Sequence, residues 1–469
     1  MKQIKFLMQK YEQWMTVWNN RLRSICHKFS GLILTSLISI FGICYLLLLL
    51  FIQKENIHAV VIFVNVISIV YFFSFFLLHK ISIKKQSLYY IFLFGFLFRL
   101  LFFFTKPEIL SDDVYRFYWD GKVQTYGINP YLYPPQSPEL NLVPRDDFYL
   151  KINHRQYPTI YPPLSQFFFF ICYSISQNSL YSLKTLYLLF DILLIIFLFF
   201  LTKNKINQTQ LLSIYILFPL IIIETYIGMH LDIIGASLLL LSLYFIRLNK
   251  FYLSIFFLTS SILTKYISLI ILPIYFIYFF QYQYKNKKPF WKIILSVSGL
   301  IFYTILLFMV FYLPYISAGS KIFNQFLYYN QYWQYNASLL PILQFIFPTS
   351  AIYAKSILIM VICFIIYLSR ISLIRKMRMA LLIFLLFNGV LYPWYLIWIL
   401  PLFILKPKLS DLYLISIIPL CYLGLIQYKT AGIWQDTKYI KLIEYIPFYL
   451  LFFKEIFTCF HLNGIKKQN

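Results

Sequence analysis

The residues best suited to chemistry lie in the segment 111–121, SDDVYRFYWDG. Ser111 reads as a helix N-cap, and Asp112 and Asp113 would then occupy the first helical turn. Arg116 falls one turn after Asp112, on the same face. The aromatic residues of this segment, which are typical of a membrane interface, are Tyr115, Tyr118 and Trp119. The pattern predicts an amphipathic helix along a membrane surface, whose carboxylates either act as a general base toward a hydroxyl or simply cap the helix.

Two further places carry charge beside apolar runs, where charge is costly. The first is the stretch 224–232, ETYIGMHLD, whose titratable residues are Glu224, His230 and Asp232. It is either part of a binding site or a polar turn with a helix N-cap. The second is Lys265, alone between the apolar runs 251–263 and 266–281. Its ammonium could bind a phosphate or reach toward lipid headgroups.

The composition indicates that membrane-spanning helices position these residues. Of the 469 residues, 61% are hydrophobic and only 12% are charged, and the run 31–52 carries no charge. Runs of this length cross a bilayer core. The net charge of +25 sits mainly in short clusters between apolar runs, as the positive-inside rule requires, so nucleic-acid binding is not indicated. We therefore expect an all-α integral membrane protein.

The predicted spans are 31–52, 57–79, 88–105, 180–202, 209–227, 230–247, 251–263, 266–281, 292–316, 351–369, 378–392, 394–406, 409–427 and 443–460. The stretch 251–281 could instead form one long helix. The predicted organisation is a basic cytoplasmic segment 1–30, transmembrane helices 31–105, an outer loop 106–179, a transmembrane core 180–316, a second outer loop 317–350 and C-terminal transmembrane helices 351–469.

The apolar segment 163–176 is short for a span and is predicted to be interfacial. If it crossed the membrane, the basic residues after it would face outside, against the positive-inside rule. Both termini are then cytoplasmic, and the acidic motif faces outward from a cytoplasmic (inner) membrane. No P-loop, GxGxxG or HExxH motif is present, so the sequence gives no support for an ATP-driven pump.

At these residues the chain resembles a known family. The stretch 111–135, SDDVYRFYWDGKVQTYGINPYLYPP, is similar to the first outer loop of bacterial multispanning glycosyltransferases of the GT-C superfamily, many of them mannosyltransferases. Later blocks follow in the family's order: INHRQYPTIYPPLSQ (152–166), ETYIGMHLDIIGASLLLL (224–241), LTKYISLIILP (263–273), YWQYNASLLPIL (332–343) and YPWYLIWILPL (392–402). The resemblance spans roughly residues 88–410.

The resemblance implies a GT-C-type bundle of about 12 to 14 transmembrane helices, several of them short, with a helical first outer loop. It also implies inverting transfer of a hexose such as mannose from a polyprenyl-phosphate sugar to a lipid or glycan acceptor. In the family, an acidic residue of the first outer loop is the proposed general base. By its place in the motif, the resemblance assigns this role to Asp113 or Asp112, and we favour Asp113. No metal ligands are assigned, although some members of the superfamily use a divalent cation.

The chemistry of the reaction assigns the remaining roles. A cation stabilises the charge that develops on the departing phosphate, and Lys265 and Arg116 are the candidates. The residues expected to contact substrate are His230, Asp232, Glu224, His154, Tyr161 and Trp394. The main alternative is a transporter or flippase of lipid-linked sugars, for which repeated broken helices would be typical; no internal repeat is evident. A polymerase or ligase of surface polysaccharide is a second alternative.

Overall fold

A computed structural model describes residue 21 and residues 24–105, 109–432 and 438–465. Most of the basic segment predicted for residues 1–30 lies outside the described residues. Within them, all regular structure is helical, which confirms the all-α prediction. The ten longer helices of the first half are α1 Ser30–Gln53, α2 Ile57–Lys80, α3 Lys85–Phe103, α4 Asp113–Thr125, α5 Asp147–Leu150, α6 Pro163–Ile175, α7 Tyr181–Thr202, α8 Gln208–Ile216, α9 Asp232–Arg247 and α10 Phe251–Ile262. The three-residue helix Pro219–Ile221 lies between α8 and α9.

The second half of the chain continues the same architecture. Its helices are α11 Leu272–Lys285, α12 Phe290–Tyr312, α13 Lys321–Tyr332, α14 Leu340–Ile346, α15 Ala351–Leu368, α16 Leu373–Phe387, α17 Leu400–Leu405, α18 Leu409–Ile417, α19 Leu423–Ala431 and α20 Lys438–Ile465. Segments of 3-10 helix are Pro138–Leu140, Tyr266–Ile271, Leu313–Ala318, Pro393–Trp398 and Ile418–Tyr422. A π-helical turn covers Ile222–Ile227.

Nine helical segments of the described chain are long and apolar enough to cross a bilayer. They are Ser30–Gln53, Ile57–Lys80, Lys85–Phe103, Tyr181–Thr202, Gln208–Ile227, Tyr266–Lys285, Phe290–Ala318, Ala351–Leu368 and Leu409–Ala431. Several of the other predicted spans form shorter helices. In the predicted span 394–406, for example, 3-10 helix is followed by the six-residue helix α17. The multispanning architecture is confirmed, and in the described part of the chain nine of the predicted spans are helices of full crossing length.

The region 251–281 is two helices with a break between them. α10 ends at Ile262, and Lys265 has an extended backbone before the 3-10 segment Tyr266–Ile271. The carbonyl of Leu263 accepts hydrogen bonds from the amides of Leu164 and Ser165 in the first turn of α6. Free amides at a helix start and free carbonyls at a helix end both need partners when buried, so the start of α6 stabilises the break that presents Lys265.

The helix α4 is covered by other segments of the chain, whereas the sequence predicts an amphipathic helix with aromatic residues at an interface. Every residue from Val114 to Val123 is buried, and α6 crosses it so closely that a methyl group on Gly121 would lie 2.3 Å from the carbonyl oxygen of Phe169. The aromatic residues predicted for the interface instead pack inward: Tyr115 on Phe148, Tyr118 on Phe148 and Tyr173, and Trp119 on Tyr149. The same spacing of aromatic residues is found in helices at a membrane interface and in helices of a protein core. In this chain, α6 and the segment around Phe148 and Tyr149 cover the rings and make them part of the core.

A buried ion pair connects three of the helical segments. Nε of Arg99 in α3 lies 2.6 Å from Oδ2 of Asp191 in α7. The hydroxyls of Tyr215 and Tyr226 also donate to this carboxylate. The Asp191 carboxylate is therefore a buried charge with its hydrogen-bonding partners satisfied inside the helical core.

Candidate active site

A cleft opens at the start of α4 and collects most of the predicted site residues. Its walls come from the start of α4, the segment 153–161, Lys265, α13, the 3-10 segment Pro393–Trp398 and α19. The predicted site residues that line it are Asp112, Asp113, Arg116, His154, Tyr161, Lys265 and Trp394. The other three, Glu224, His230 and Asp232, are buried behind its walls.

The two carboxylates at the start of α4 share one amide. Nδ2 of Asn153 donates to Oδ1 of Asp112 at 2.7 Å and to Oδ1 of Asp113 at 3.0 Å. α4 begins at Asp113, so Asp112, not Ser111, is the N-cap residue; Oγ of Ser111 still accepts from the Asp113 amide at 3.3 Å. The Asn153 clamp therefore holds both acids at the edge of the cleft.

The environment of Asp113 suits a general base. Burial and the neighbouring Asp112 carboxylate raise the pKa of Asp113 to about 6, although the Asn153 hydrogen bond acts in the opposite direction. The positive charge of Lys265 also acts to lower this pKa, and both side chains line the same cleft. A base with a pKa just below neutral is ionised at pH 7 and still accepts a proton readily.

The Lys265 ammonium is held from two sides. Both carboxylate oxygens of Asp232 accept from Nζ of Lys265, at 2.9 and 3.0 Å. Nζ also lies 4.2 Å from the ring centroid of Tyr395. Asp232 is fixed in turn by Nε1 of Trp398, which donates to its Oδ1 at 2.6 Å. Lys265 keeps 20% of its side chain exposed, so its charge faces the cleft.

The contact between Trp398 and Asp232 requires a glycine one turn into α9. A methyl group at Gly235 would lie 2.0 Å from Cη2 of Trp398 and 2.7 Å from Oγ1 of Thr264. The indole ring therefore crosses α9 over Gly235, which lets its N–H reach Asp232.

Arg116 also lines the cleft, but its hydrogen bonds go elsewhere. Its Nε pairs with Asp120 at 2.7 Å, and its Nη1 donates to the carbonyl of Tyr157 at 2.8 Å. The helical spacing that suggested a pairing with Asp112 holds equally for Asp120, one turn later. Asp112 instead bonds to Asn153. Both cations are thus paired with a carboxylate, but Lys265, unlike Arg116, also lines a second, smaller pocket beside the cleft. We therefore favour Lys265 as the phosphate ligand.

A column of stacked rings forms another wall. Tyr335 stacks on Tyr392 at 5.0 Å between ring centroids, and Tyr392 on Trp394 at 4.2 Å. Behind Trp394, the His230 imidazole stacks at 3.7 Å. His230 therefore reaches the cleft through Trp394 and not by its own exposure, since it is 2% exposed.

The two remaining predicted residues that line the cleft are His154 and Tyr161. The His154 imidazole lies edge-on to Trp333, with 4.6 Å between ring centroids, and burial lowers its pKa. The Tyr161 ring packs edge-on against Phe117 of α4. Both side chains are therefore positioned by aromatic packing at the cleft.

Sequence reasoning missed several residues of the site. These are Asn153, Tyr395, Trp398 and Tyr422. Asn153 precedes the predicted His154, and Tyr395 and Trp398 lie in the quoted block 392–402, so their motifs were available as a signal. Tyr422 lay inside an apolar span and carried no signal. Among the described residues, no group of three His, Cys, Asp or Glu could hold a metal ion, and metal dependence stays a prediction.

The comparisons with known proteins identify the family of the chain. Residues 28–281, more than half of the chain, match the family model described as alpha-(1->6)-mannopyranosyltransferase, N-terminal domain. No curated protein and no solved structure matches the chain. The matched region contains the acidic pair and Lys265, which line the cleft, and the 224–232 turn, which lies behind its walls. The chain therefore belongs to the alpha-(1->6)-mannopyranosyltransferase family and is a multispanning membrane glycosyltransferase.

Proposed function

We propose that the protein transfers a mannosyl group from a polyprenyl-phosphate mannose to a hydroxyl of a glycan or lipid acceptor, with inversion at the anomeric carbon. The observation that carries this proposal is the joint position of Asp113 and Lys265 in one cleft. One group can take a proton from the acceptor, and the other can stabilise the departing phosphate. The family description supports mannose as the sugar and a 1,6 linkage to the acceptor.

The reaction needs one base and one leaving group. The acceptor oxygen forms a bond to the anomeric carbon while the bond between that carbon and the phosphate oxygen breaks. Asp113 takes the hydroxyl proton, and the polyprenyl phosphate leaves with the bonding electrons. Inversion requires no covalent enzyme intermediate, so one properly placed carboxylate is enough. Asp112 raises the basicity of Asp113 by like-charge repulsion.

Lys265 is the proposed phosphate ligand. A preorganised cation at the developing negative charge lowers the barrier without reorganisation during the reaction. The Asp232 carboxylate, the Trp398 indole and the Tyr395 ring supply this preorganisation. An ammonium bound to a single carboxylate still has a third proton for a phosphate oxygen.

A smaller pocket beside the cleft supports a lipid-linked donor. It shares Lys265, Tyr161 and Tyr395 with the cleft and continues between apolar side chains, among them Ile267 and Phe326. A phosphate at Lys265 could extend its polyprenyl chain along this apolar surface. The basic clusters of the sequence support a cleft on the outer side of the membrane.

Purified protein in detergent with radiolabelled polyprenyl-phosphate mannose and a synthetic octyl α-mannoside tests the proposal. The expected result is mannosylated product and free polyprenyl phosphate, formed without any ion gradient and without a nucleotide sugar. The matched control is Asp113→Asn, which keeps the size of the side chain and removes the base. A transporter would leave the donor intact, and that result would overturn the proposal.

A further inference from the structure

A buried carboxylate stands behind the ring wall of the cleft. Glu224 is 1% exposed, and its two oxygens accept from the hydroxyl of Tyr422 at 3.0 and 2.8 Å. Placing a carboxylate inside an apolar protein core is costly and usually has a function. Tyr422 lines the cleft and is 3% exposed, so the carboxylate holds the hydroxyl of a residue in the cleft wall.

The backbone around Glu224 is built irregularly. Glu224 lies in the π-helical turn Ile222–Ile227, a conformation that is rare and frequent at functional sites. Met229 then adopts a φ of 54°, a left-handed conformation that is strained for a side chain of this kind. This turn brings Nδ1 of His230 to 3.2 Å from Oε2 of Glu224. The chain thus departs from regular geometry in two adjacent places.

His230 lies between Glu224 and the Trp394 ring. Within the described part of the chain, neither of its ring nitrogens makes a well-aligned hydrogen bond, and its face stacks on Trp394. Its contribution is therefore ring packing and proximity to Glu224. Glu224, His230 and Tyr422 form one unit, which we call the Tyr422 unit.

The Tyr422 unit belongs to a part of the cleft that is separate from the phosphate site. Tyr422, Leu425 and Tyr428 from α19 and the segment before it line the cleft but not the smaller pocket that shares Lys265. If the donor phosphate is bound at Lys265, the acceptor in an inverting transfer must approach the anomeric carbon from the opposite side. The α19 part of the cleft is then available to the acceptor.

We propose that Tyr422 recognises a hydroxyl of the acceptor sugar and that Glu224 is the positioning residue that orients it. Because the Tyr422 proton is donated to Glu224, the phenol oxygen presents lone pairs, which accept a hydrogen bond from a sugar hydroxyl. This inference rests on the proposed transfer reaction and adds the acceptor subsite to it. Trp394 and Leu425 supply adjoining apolar walls.

Tyr422→Phe is the primary test, because it removes one oxygen and keeps the ring. With octyl α-mannoside as acceptor, we expect the acceptor KM to rise about 3- to 10-fold, the loss of one neutral hydrogen bond, with kcat nearly unchanged. The donor KM should change less than the acceptor KM. The matched control is Tyr71→Phe, which removes a buried hydroxyl that bonds to the Ile214 carbonyl away from the cleft.

Substitutions at Glu224 test its positioning role. Glu224→Gln keeps an acceptor for the Tyr422 hydroxyl and should raise the acceptor KM less than Glu224→Leu. The Tyr422→Phe/Glu224→Leu double variant should be no worse than Tyr422→Phe alone, because residues that act as one unit are not additive. Additive effects would contradict a shared role.

A series of monodeoxy octyl mannosides supplies the deciding readout. For the analogue that lacks the recognised hydroxyl, wild type and Tyr422→Phe should have the same acceptor KM, while every other analogue preserves the difference. An equal effect on all analogues, an unchanged acceptor KM, or donor turnover without transfer to any octyl glycoside would overturn the inference. Complete absence of donor turnover by wild type would instead refute the proposed function.

Discussion

Both carboxylate oxygens of Asp232 accept hydrogen bonds from the Lys265 ammonium, at 2.9 and 3.0 Å. This contact joins the start of α9 to the break that follows α10. Apart from these ends, both helices are largely apolar. The Trp398 indole ties the same carboxylate to a third element. The Lys265 ammonium is therefore positioned before any substrate binds.

Lys265→Ala should raise the KM for the polyprenyl-phosphate donor by about 10-fold or more, since a hydrogen bond to a charged group contributes about 1.5–3 kcal/mol. Lys265→Arg should recover part of this loss, because it keeps the charge with a different geometry. Steady-state kinetics in detergent measures both. Lys292→Ala, which removes an exposed lysine at the start of α12, is the control. A donor KM that stays at the wild-type value in Lys265→Ala would exclude this lysine as a phosphate ligand.

Gly235→Ala should lower both stability and donor affinity. The added methyl group would displace the Trp398 ring, which lies 2.0 Å away, and overpacking of this kind costs about 1–3 kcal/mol. Loss of the indole contact would also release Asp232 and with it Lys265. The thermal unfolding midpoint and the donor KM should therefore change together.

Gly299→Ala is the matched control for this substitution. Its nearest non-local atom is the Tyr252 hydroxyl oxygen at 3.8 Å, which is an ordinary contact distance. A helical alanine there should be neutral or slightly stabilising. Equal effects of the two substitutions would show that the Trp398 contact has no special role.

The acid limb of the pH profile should report Asp113. Its pKa of about 6 means that the base is ionised above pH 6 and protonated below it, so kcat/KM should fall as the pH drops through this value. Asp112→Asn removes the like charge that raises this pKa and should move the limb to lower pH. Asn153→Ala removes the hydrogen bond that lowers it and should move the limb to higher pH.

Initial rates from about pH 4 to about pH 8, an interval of about two units on either side of the Asp113 value, measure these shifts. A limb that stays in place in both variants would mean that another group controls it.

Labelling of single cysteines tests the orientation of the cleft. Leu142→Cys in a variant without other cysteines places a thiol at a side chain that is 85% exposed, in the loop predicted to face outward. It should react with an impermeant thiol reagent in intact spheroplasts. Lys287→Cys, in a predicted cytoplasmic loop, should react only after lysis. The reverse pattern would place the cleft on the cytoplasmic side.

The sequence predicted the site residues where a charged side chain lies beside an apolar run. It did not predict the environment of a helix where the packing of other segments determines it. Asp113, Lys265 and the 224–232 turn stood out because ionised groups beside apolar runs are rare, and the structure brings them to one cleft or directly behind it. The helix α4 was misjudged because aromatic residues at helical spacing suit either an interface or a core. Only the crossing of α6 over Gly121 settles that question.

The residues that the sequence analysis missed depend on irregular backbone. Trp398 reaches Asp232 from a 3-10 segment, and Tyr422 reaches Glu224 across 198 positions of the chain. Neither contact follows from periodicity, because a 3-10 or π-helical turn rotates the side chains that follow it away from the α-helical register. Such contacts become visible only when the helices are packed.

The most direct test of the account is the rate of mannosyl transfer by Asp113→Asn, measured beside wild type with polyprenyl-phosphate mannose and octyl α-mannoside. The variant keeps the shape of the side chain, so donor binding and the thermal unfolding midpoint should stay close to wild type. Loss of a general base should reduce kcat by about 10²- to 10⁴-fold. Transfer at the wild-type rate by Asp113→Asn would contradict the central claim that this carboxylate takes the acceptor's proton.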